Sequence, residues 1–516
     1  MKSLNGIKIE KIGYGGIGLA RMPDGKRILI KGGALPGNVV DLKIVKQKKD
    51  YIEAHITEIV SYDPAIIDGQ VFCPHFFSSL EKKELTDQEK TTIGCGGCKR
   101  QMMSYANQLN LKQAIIEDAF TKIKRLVPEL VILPILASPQ EKNYRNKIEF
   151  SFGKYVVKQD DKLNFLSDRS LGFHKQGEFS KIVNIHECGL ISEKANQLYA
   201  YMRNLLQSSE LPVYDQKTHK GFLRHLVIRE GINTQQILVN LVVSDQFLVA
   251  EDKKALWETL LHHLQTDEYL KQTVTTLVVT YNNGLADITR SPESETKIIT
   301  GEGVIYDKLI FPQPQEINKS ESSEQTHTID VSFRISPFSF FQTNTLGAQV
   351  LFQAAATMVG YTKGTILDLY CGTGSIGISF LKLGMGDKLV GIEIVEEAIV
   401  DARHNAKISL GDQEVFFAAT PAEKAFTTVP EITQKLADLG LVVVDPPRDG
   451  LHKNVITTLS ELKKEHDFKL LYISCNPVTM ARDIELLLQQ GFDLKQIQPV
   501  DMFPQTHHIE TIGILG

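Results

Sequence analysis

Leu470-Leu471-Tyr472-Ile473-Ser474-Cys475-Asn476-Pro477 is an apolar run that ends in a thiol, an amide and a proline. A short apolar run closed by a turn signal reads as a buried strand that opens at its carboxyl end. Proline disfavours helical geometry in the residue before it, so Asn476 is held extended and Cys475 falls at the strand tip. Open α/β sheets bind their ligands at that edge. Taken alone, one cysteine reads more plainly as a small buried thiol. What weighs against that reading is a set of other strand ends built the same way.

Thr365-Ile366-Leu367-Asp368-Leu369-Tyr370-Cys371-Gly372-Thr373-Gly374-Ser375 reads as a buried strand turning through glycines into a helix. Glycine lets a ligand approach the backbone, and a helix start offers free amides, so a nucleotide-like group fits there. Twenty-one positions after Gly372, Leu389-Val390-Gly391-Ile392-Glu393 ends in a carboxylate suited to ribose hydroxyls. Gly372, Gly374 and Gly377 also have the spacing of a dinucleotide loop, so the loop by itself leaves two cofactors open. Leu441-Val442-Val443-Val444-Asp445-Pro446-Pro447-Arg448 is a third such strand, in which Asp-Pro-Pro is a turn signal or an acid aimed at a substrate. Methyltransferases of base amino groups follow a similar Asp-Pro-Pro with an aromatic residue, and Arg448 argues against that chemistry. In Ser336-Pro337-Phe338-Ser339-Phe340-Phe341-Gln342-Thr343-Asn344 the phenylalanines suit a core, while Gln342 and Asn344 are polar groups able to hydrogen-bond a cofactor or a base.

The chain is 516 residues long, which predicts about three domains. With 42% hydrophobic and 23% charged residues it has ordinary globular composition, and no apolar run is long enough to cross a bilayer. The start lacks a secretory signal, so the expected location is cytoplasmic. A formal net charge of -5 argues against coating nucleic acid by bulk charge alone. Local excesses exist: Met1 to Val60 holds 11 Lys or Arg against 6 Asp or Glu, and Pro139 to Arg224 holds 14 against 10.

Residues 1–60 alternate apolar and polar positions over Ile7 to Ile12, Arg27 to Lys31, Val39 to Val45 and Tyr51 to Ile59, the pattern of a small antiparallel barrel. Gly13-Tyr14-Gly15-Gly16-Ile17-Gly18 has no helix pattern after it, so it reads as a tight barrel loop. Residues 61–335 read as a central α+β domain, with a helix from Gln101 to about Arg125 and strands at Lys147 to Val157, Phe222 to Arg229 and Gln236 to Val243. Tyr281-Asn282-Asn283-Gly284 carries a hairpin turn signal. The polar run 313–328 predicts a flexible surface insertion. Cys73, Cys95-Gly96-Gly97-Cys98 and Cys188 offer four thiols to a soft metal, although no second C-x-x-C completes a zinc ribbon, and unligated cysteines are the alternative.

Residues 336–516 are similar to class I S-adenosylmethionine-dependent methyltransferases. More closely, the chain resembles the RNA uracil-5-methyltransferase family. The likeness rests on Phe340-Phe341-Gln342-Thr343-Asn344, Asp368-Leu369-Tyr370-Cys371-Gly372, Asp445-Pro446-Pro447-Arg448, Ser474-Cys475-Asn476-Pro477 and His508-Ile509-Glu510-Thr511. Gly15-Gly16-Ile17-Gly18-Leu19-Ala20-Arg21, Asp24-Gly25-Lys26 and Ala34-Leu35-Pro36-Gly37 resemble the TRAM domain, an OB-like RNA-binding barrel. With the four cysteines, this extends the likeness to the subfamily that methylates ribosomal RNA and carries a [4Fe-4S] cluster. The 21 residues between Cys73 and Cys95 depart from that subfamily's usual short gap.

The resemblance implies a multidomain protein with a TRAM-like barrel, a central α+β RNA-binding domain and a Rossmann-like methyltransferase domain. It implies Cys475 as the nucleophile that adds to carbon-6 of uracil and Glu510 as the base that removes the carbon-5 proton. Gln342, Asp368, Tyr370, Gly372, Ser375, Glu393 and Asp445 are the implied cofactor-binding residues, and Cys73, Cys95, Cys98 and Cys188 the implied cluster ligands. The partner is RNA, with 23S ribosomal RNA expected and transfer RNA the alternative, and a monomer is expected. Two other classes compete: an inactive RNA-binding protein, which leaves three chemical residues without a use, and a nicotinamide-dependent oxidoreductase, which leaves Asp445 and Cys475 unexplained. For Glu510, a solvated edge carboxylate is the competing reading.

Overall fold

The computed structural model describes residues 3–76, 86–159, 162–313 and 328–516. The chain forms two compact units, Met1–Gln108 with Glu141–Ile305 and Ser336–Phe338, and Leu109–Gln140 with Tyr306–Ile335 and Ser339–Gly516. The expected insertion at 313–328 lies, apart from its end residues, outside the described residues. Among the described residues no helix is long and apolar enough to cross a membrane.

In the first unit, six strands form one sheet in the order Ser3–Lys8, Val39–Gln47, Tyr51–Ser61, Arg27–Lys31, Ile17–Arg21, Lys11–Gly13. All pairs are antiparallel except Arg27–Lys31 with Tyr51–Ser61. The run read as Ile7 to Ile12 breaks in two, because the Ile9 amide donates to Asn38 O and the Glu10 amide to Leu19 O, turning the chain between neighbours. The glycine stretch is a three-residue turn, Tyr14–Gly16, that leads into a strand. Gly18 is there for packing: a β-carbon on it would lie 2.6 Å from that of Ala34.

A second sheet of seven strands runs Glu178–Asn184, Lys162–Lys175, Lys147–Gln159, Leu223–Glu230, Ile237–Val243, Thr276–Tyr281, Glu295–Thr300. Helices Glu193–Ser208 and Glu251–Thr266 contribute Leu198, Tyr199, Trp257 and Leu260 to a core shared with Phe150, Leu226 and Val239. Sheet and helices here make an α+β arrangement, while Leu109–Gln140 and Tyr306–Ile335, read from sequence as part of the same central region, belong to the second unit. The Asn-Gly signal misled: Tyr281 pairs with Glu295, so the connection runs over residues 282–294. Arg224 explains it, since its guanidinium donates to the carbonyls of Asn282 (2.6 Å), Gly284 (2.6 Å) and Ala286 (2.7 Å) and fixes a longer loop.

The second unit is built on eight strands in the order Val415–Ala419, Lys388–Glu393, Thr365–Leu369, Leu439–Val444, Lys469–Ser474, Glu510–Leu515, Leu494–Val500, Val131–Ile132. The first five run parallel, and Glu510–Leu515 is antiparallel to both its neighbours. Helices such as Ser375–Lys382 and Lys453–Glu465 connect the parallel strands, so the strand centres are apolar. Leu441, Val442, Val443 and Val444 are each fully buried, and burial of each such side chain is worth about 1.5–3 kcal/mol. Chain order reverses between Thr365–Leu369 and Leu439–Val444, which makes that edge the topological switch point.

Candidate active site

Asp368 is the residue before last of its strand, and the turn after it is sterically demanding. Tyr370 adopts φ 67°, Gly372 φ 53° and Gly374 φ 80°. For Tyr370 this left-handed backbone costs on the order of 1–3 kcal/mol, a strain typical of functional turns. A β-carbon on Gly372 would meet nothing within 4 Å, so the loop presents bare backbone to open space. The loop is held from behind. The Thr373 hydroxyl donates to Phe340 O (3.0 Å), the Asn405 amide to Thr373 O (3.0 Å), and the Gly377 amide to Asp368 Oδ2 (2.9 Å). Buried Ser375 opens the helix behind the loop. Glu393 bridges the two strand ends, accepting from the Gly372 amide at 3.1 Å through one oxygen and from the amides of Ile394 and Val395 through the other. Ile394 and Val395 are 65% and 47% exposed, an apolar surface beside the carboxylate that suits a flat ring.

Asp368 Oδ1 is buried and has no hydrogen-bond partner among the described residues. Burial pushes its carboxyl up to about 8, with the charges of Asp445 and Glu393 adding to the effect and the Gly377 amide opposing it. These features fit S-adenosylmethionine: a bare glycine cradle, a ribose-suited acid with apolar neighbours, and an unpartnered polar atom.

On the other side of the switch point stands the second group. Ser474 ends its strand and Asn476 caps the next helix, accepting from the amides of Val478 (3.1 Å) and Thr479 (3.4 Å), with Pro477 in the first turn. Cys475 is therefore at the strand tip, as read from sequence. Ser474 pairs with Thr511, so the antiparallel register places Cys475 beside Glu510, the first residue of its strand. The Asp445-Pro446-Pro447-Arg448 loop is tied to this tip, because Asn476 Nδ2 (2.9 Å) and the Thr479 hydroxyl (3.1 Å) both donate to Arg448 O.

The electrostatics join these residues into one site. Burial pushes the Cys475 thiol up to about 11, helped by the charges of Glu510 and Asp445; the Arg448 guanidinium opposes it by charge and by a hydrogen bond. Burial holds Glu510 well above the ordinary carboxylate range, Asp445 adding and Arg448 opposing. Desolvation alone pushes Asp445 up to about 7, although the residue as a whole keeps some exposed surface. At 7% exposure Glu510 is no solvated edge residue. A buried carboxyl beside a half-buried thiol suits proton transfer at the reacting centre.

Gln342 is buried, at 7% exposure, in the segment whose Phe340 carbonyl braces the glycine loop. Asn344 has a structural use instead of the contact considered for it. It caps helix Thr345–Val359, accepting from the Gly347 amide at 2.8 Å and donating to Met502 O at 2.9 Å and Ser138 Oγ at 3.1 Å. Sequence reasoning passed over Lys112, which is 3% exposed and lies 2.7 Å from Asp501, with a further bond to Phe503 O at 3.1 Å. That pair pins the segment leading to Glu510, and only the rarity of a lysine on a helix's apolar face hinted at it.

In the first unit Cys73, Cys95, Cys98 and Cys188 carry free thiols. They are near enough to act on one another: burial pushes Cys98 up to about 12 and Cys188 up to about 11, and the charges of their fellow thiols add to it. Yet among the described residues no three His, Cys, Asp or Glu side chains converge to hold a metal ion. Among the described residues the four thiols are not gathered into a ligand set for the expected cluster, and no reaction step is drawn through one.

The profile of the tRNA (uracil-5-)-methyltransferase family matches residues 104–515. A protein of Caldanaerobacter subterraneus subsp. tengcongensis described as an uncharacterized RNA methyltransferase is 31% identical over 510 residues, covering 99% of this chain and 98% of its own. One of the same description from Chlorobaculum tepidum is 33% identical over 498 residues, covering 95% and 91%. The crystal structure of Pyrococcus abyssi tRNA (uracil-54, C5)-methyltransferase in complex with S-adenosyl-L-homocysteine superposes with a TM-score of 0.66. It covers 99% of this chain and 100% of that one at 24% identity, a shared fold.

Proposed function

Since the chain belongs to the tRNA (uracil-5-)-methyltransferase family, we propose that it methylates carbon-5 of a uridine in RNA by way of a covalent adduct at Cys475. The observation that carries this reading is the register placing Cys475 beside Glu510, with Asp445 and Arg448 acting on both.

Bound S-adenosylmethionine supplies the methyl group from its sulfonium. Gly372, Tyr370 and Ser375 with the loop amides, Glu393, Asp368 and Gln342 would hold it at the parallel strand ends. Carbon-5 of uracil is a poor nucleophile until a thiolate adds to carbon-6, and Cys475 Sγ makes that bond. Arg448 favours the thiolate over the thiol. Asp445, kept near neutrality by desolvation, hydrogen-bonds the base. After carbon-5 is methylated, the Glu510 carboxylate accepts its proton, the carbon-6 to sulfur bond breaks, and the electron pair returns to Cys475. Burial makes Glu510 a stronger base once ionised than an exposed carboxylate. A uridine must leave its stack to reach this thiol, so a flipped base is expected.

The proposed substrate is 23S ribosomal RNA, supported by the likeness of residues 1–60 to a TRAM barrel and by the six-stranded sheet found there. Transfer RNA is the second reading, favoured by the family's own description. The [4Fe-4S] cluster remains part of the proposal only through the mutual influence of the four thiols, and iron and sulfide analysis of anaerobically purified protein tests it. The function itself is tested by mapping 5-methyluridine in ribosomal and transfer RNA from cells with and without the gene. Loss at one ribosomal uridine is expected; loss in transfer RNA alone selects the second reading, and no change in either overturns both.

A further inference from the structure

Asp483 is fully buried in helix Pro477–Gln489, which begins two residues after Cys475, and it takes no part in the chemistry above. Four bonds reach its carboxylate, and all come from donors. Oδ2 accepts from the Tyr472 hydroxyl (2.7 Å) and the Leu451 amide (2.7 Å), and Oδ1 from Arg482 Nε (2.9 Å) and Nη2 (2.7 Å). An ionised carboxylate satisfies all four, whereas an asparagine of the same size would turn an N–H toward a donor on one side.

These partners tie two parts of the site together. Tyr472, also fully buried, lies on the strand Lys469–Ser474, three positions before Cys475. Leu451 closes the loop that runs on from Asp445-Pro446-Pro447-Arg448. Arg482 Nη2 reaches the same loop, donating to Asp449 O (2.8 Å). With Asn476 and Thr479 on Arg448 O, the backbone is gripped at Arg448, Asp449 and Leu451. Asn476, Thr479, Arg482 and Asp483 stand at i, i+3, i+6 and i+7, so one face of one helix makes the whole grip. Gly450 shows how closely the loop lies on it: at φ 83°, a β-carbon there would fall 2.3 Å from Asp483 Oδ2 and 2.6 Å from Arg482 Nη2. Arg448, whose guanidinium hydrogen-bonds Cys475, is itself exposed. An exposed side chain gains little from packing, so its aim depends on the backbone beneath it.

We propose that Asp483 is a positioning residue for methyl transfer, which through Tyr472, Leu451 and Arg482 holds the loop that aims Arg448 at Cys475 Sγ. The inference rests on the reading of Cys475 as the nucleophile. A carboxylate that merely anchored its helix would act on stability and leave the effect of Arg448 on the thiol unchanged.

The test is a double-mutant cycle read by iodoacetamide modification of Cys475 across pH in the full-length protein without RNA, with the denaturant midpoint of each variant measured alongside. Asp483→Asn and Arg482→Lys are made alone and together with Arg448→Met. Arg482→Lys keeps a cation on Asp483 but loses the fork that also reaches Asp449, so it carries the test if Asp483→Asn fails to fold. Each variant alone should slow modification by about two- to fivefold, the range for an exposed charge contact, and neither should slow it further once Arg448 is replaced. In methylation assays kcat should fall in both, with KM for RNA unchanged. An unchanged or faster modification, equal slowing in both backgrounds, or an unchanged kcat overturns the positioning role and leaves the function intact. Wild-type protein that methylates no RNA overturns the reading beneath it, and the wild-type methylation assay tells the two failures apart.

Discussion

Alkylation of Cys475 should be slow at neutral pH and should accelerate steadily into the alkaline range. Its thiol is pushed up to about 11 from an ordinary 9.0, a difference that leaves roughly a hundredfold less thiolate well below both values. At about pH 8 that is on the order of one thiolate in a thousand. The thiolate is the reactive form, so iodoacetamide should modify Cys475 about a hundredfold more slowly than an unperturbed thiol. The rate should rise tenfold per pH unit until about pH 11. Arg448 opposes the shift, and Arg448→Met should slow modification further. Solvent screens this exposed guanidinium, so the loss is expected to be several-fold, below the full worth of a charged hydrogen bond. The assay is peptide mass spectrometry of the time course at each pH, with Cys475→Ser identifying the peptide. A plateau at or below pH 9, or faster modification in the Arg448 variant, would refute the electrostatic account of the site.

Three further outcomes are expected. Glu510→Gln should attack and methylate but fail to release, leaving methyl-labelled RNA attached to protein on denaturing gels; normal turnover without that band removes Glu510 from the mechanism. Lys112→Met leaves Asp501 buried without its cation, which costs about 3–5 kcal/mol, so the denaturant midpoint should fall markedly, and a midpoint within error of wild type contradicts the structural role assigned to the pair. Asp368 folds with a carboxyl at about 8 against an ordinary 3.8, so the unfolded chain releases that proton first. Its contribution to stability is thus present at low pH and is lost as pH rises from about 4 toward 8. Asp368→Asn should flatten that decline in unfolding measured without ligand, and an identical decline in the variant denies the buried, protonated state.

The catalytic edge was legible because parallel strands are apolar at their centres and stop abruptly at polar residues. Asp368, Glu393, Asp445 and Cys475 could each be placed at a strand end from local pattern alone. Glu510 could not be weighed in that way. Its burial depends on which strand Glu510–Leu515 pairs with, a contact between distant parts of the chain. The same limit hid the role of Leu109–Gln140, whose two-residue strand Val131–Ile132 pairs with Gln496 and Ile497 and whose Lys112 meets Asp501. Local signals also failed where a tertiary group took over the backbone. Arg224 held open a loop that Asn-Gly would close tightly, and the helix of Thr345–Val359 claimed the Asn344 amide as its cap.

The central claim is a covalent bond between Cys475 and the target base, and RNA carrying 5-fluorouridine tests it most directly. Fluorine cannot leave carbon-5 as a cation, so methylation without proton removal should freeze the adduct. Wild-type protein with S-adenosylmethionine should yield a denaturant-resistant protein–RNA complex whose digest shows a methylated fluorouridine on the peptide containing Cys475, and Cys475→Ala should yield none. Methyl transfer to ordinary RNA by Cys475→Ala, or an adduct mapped to another residue, would contradict the account.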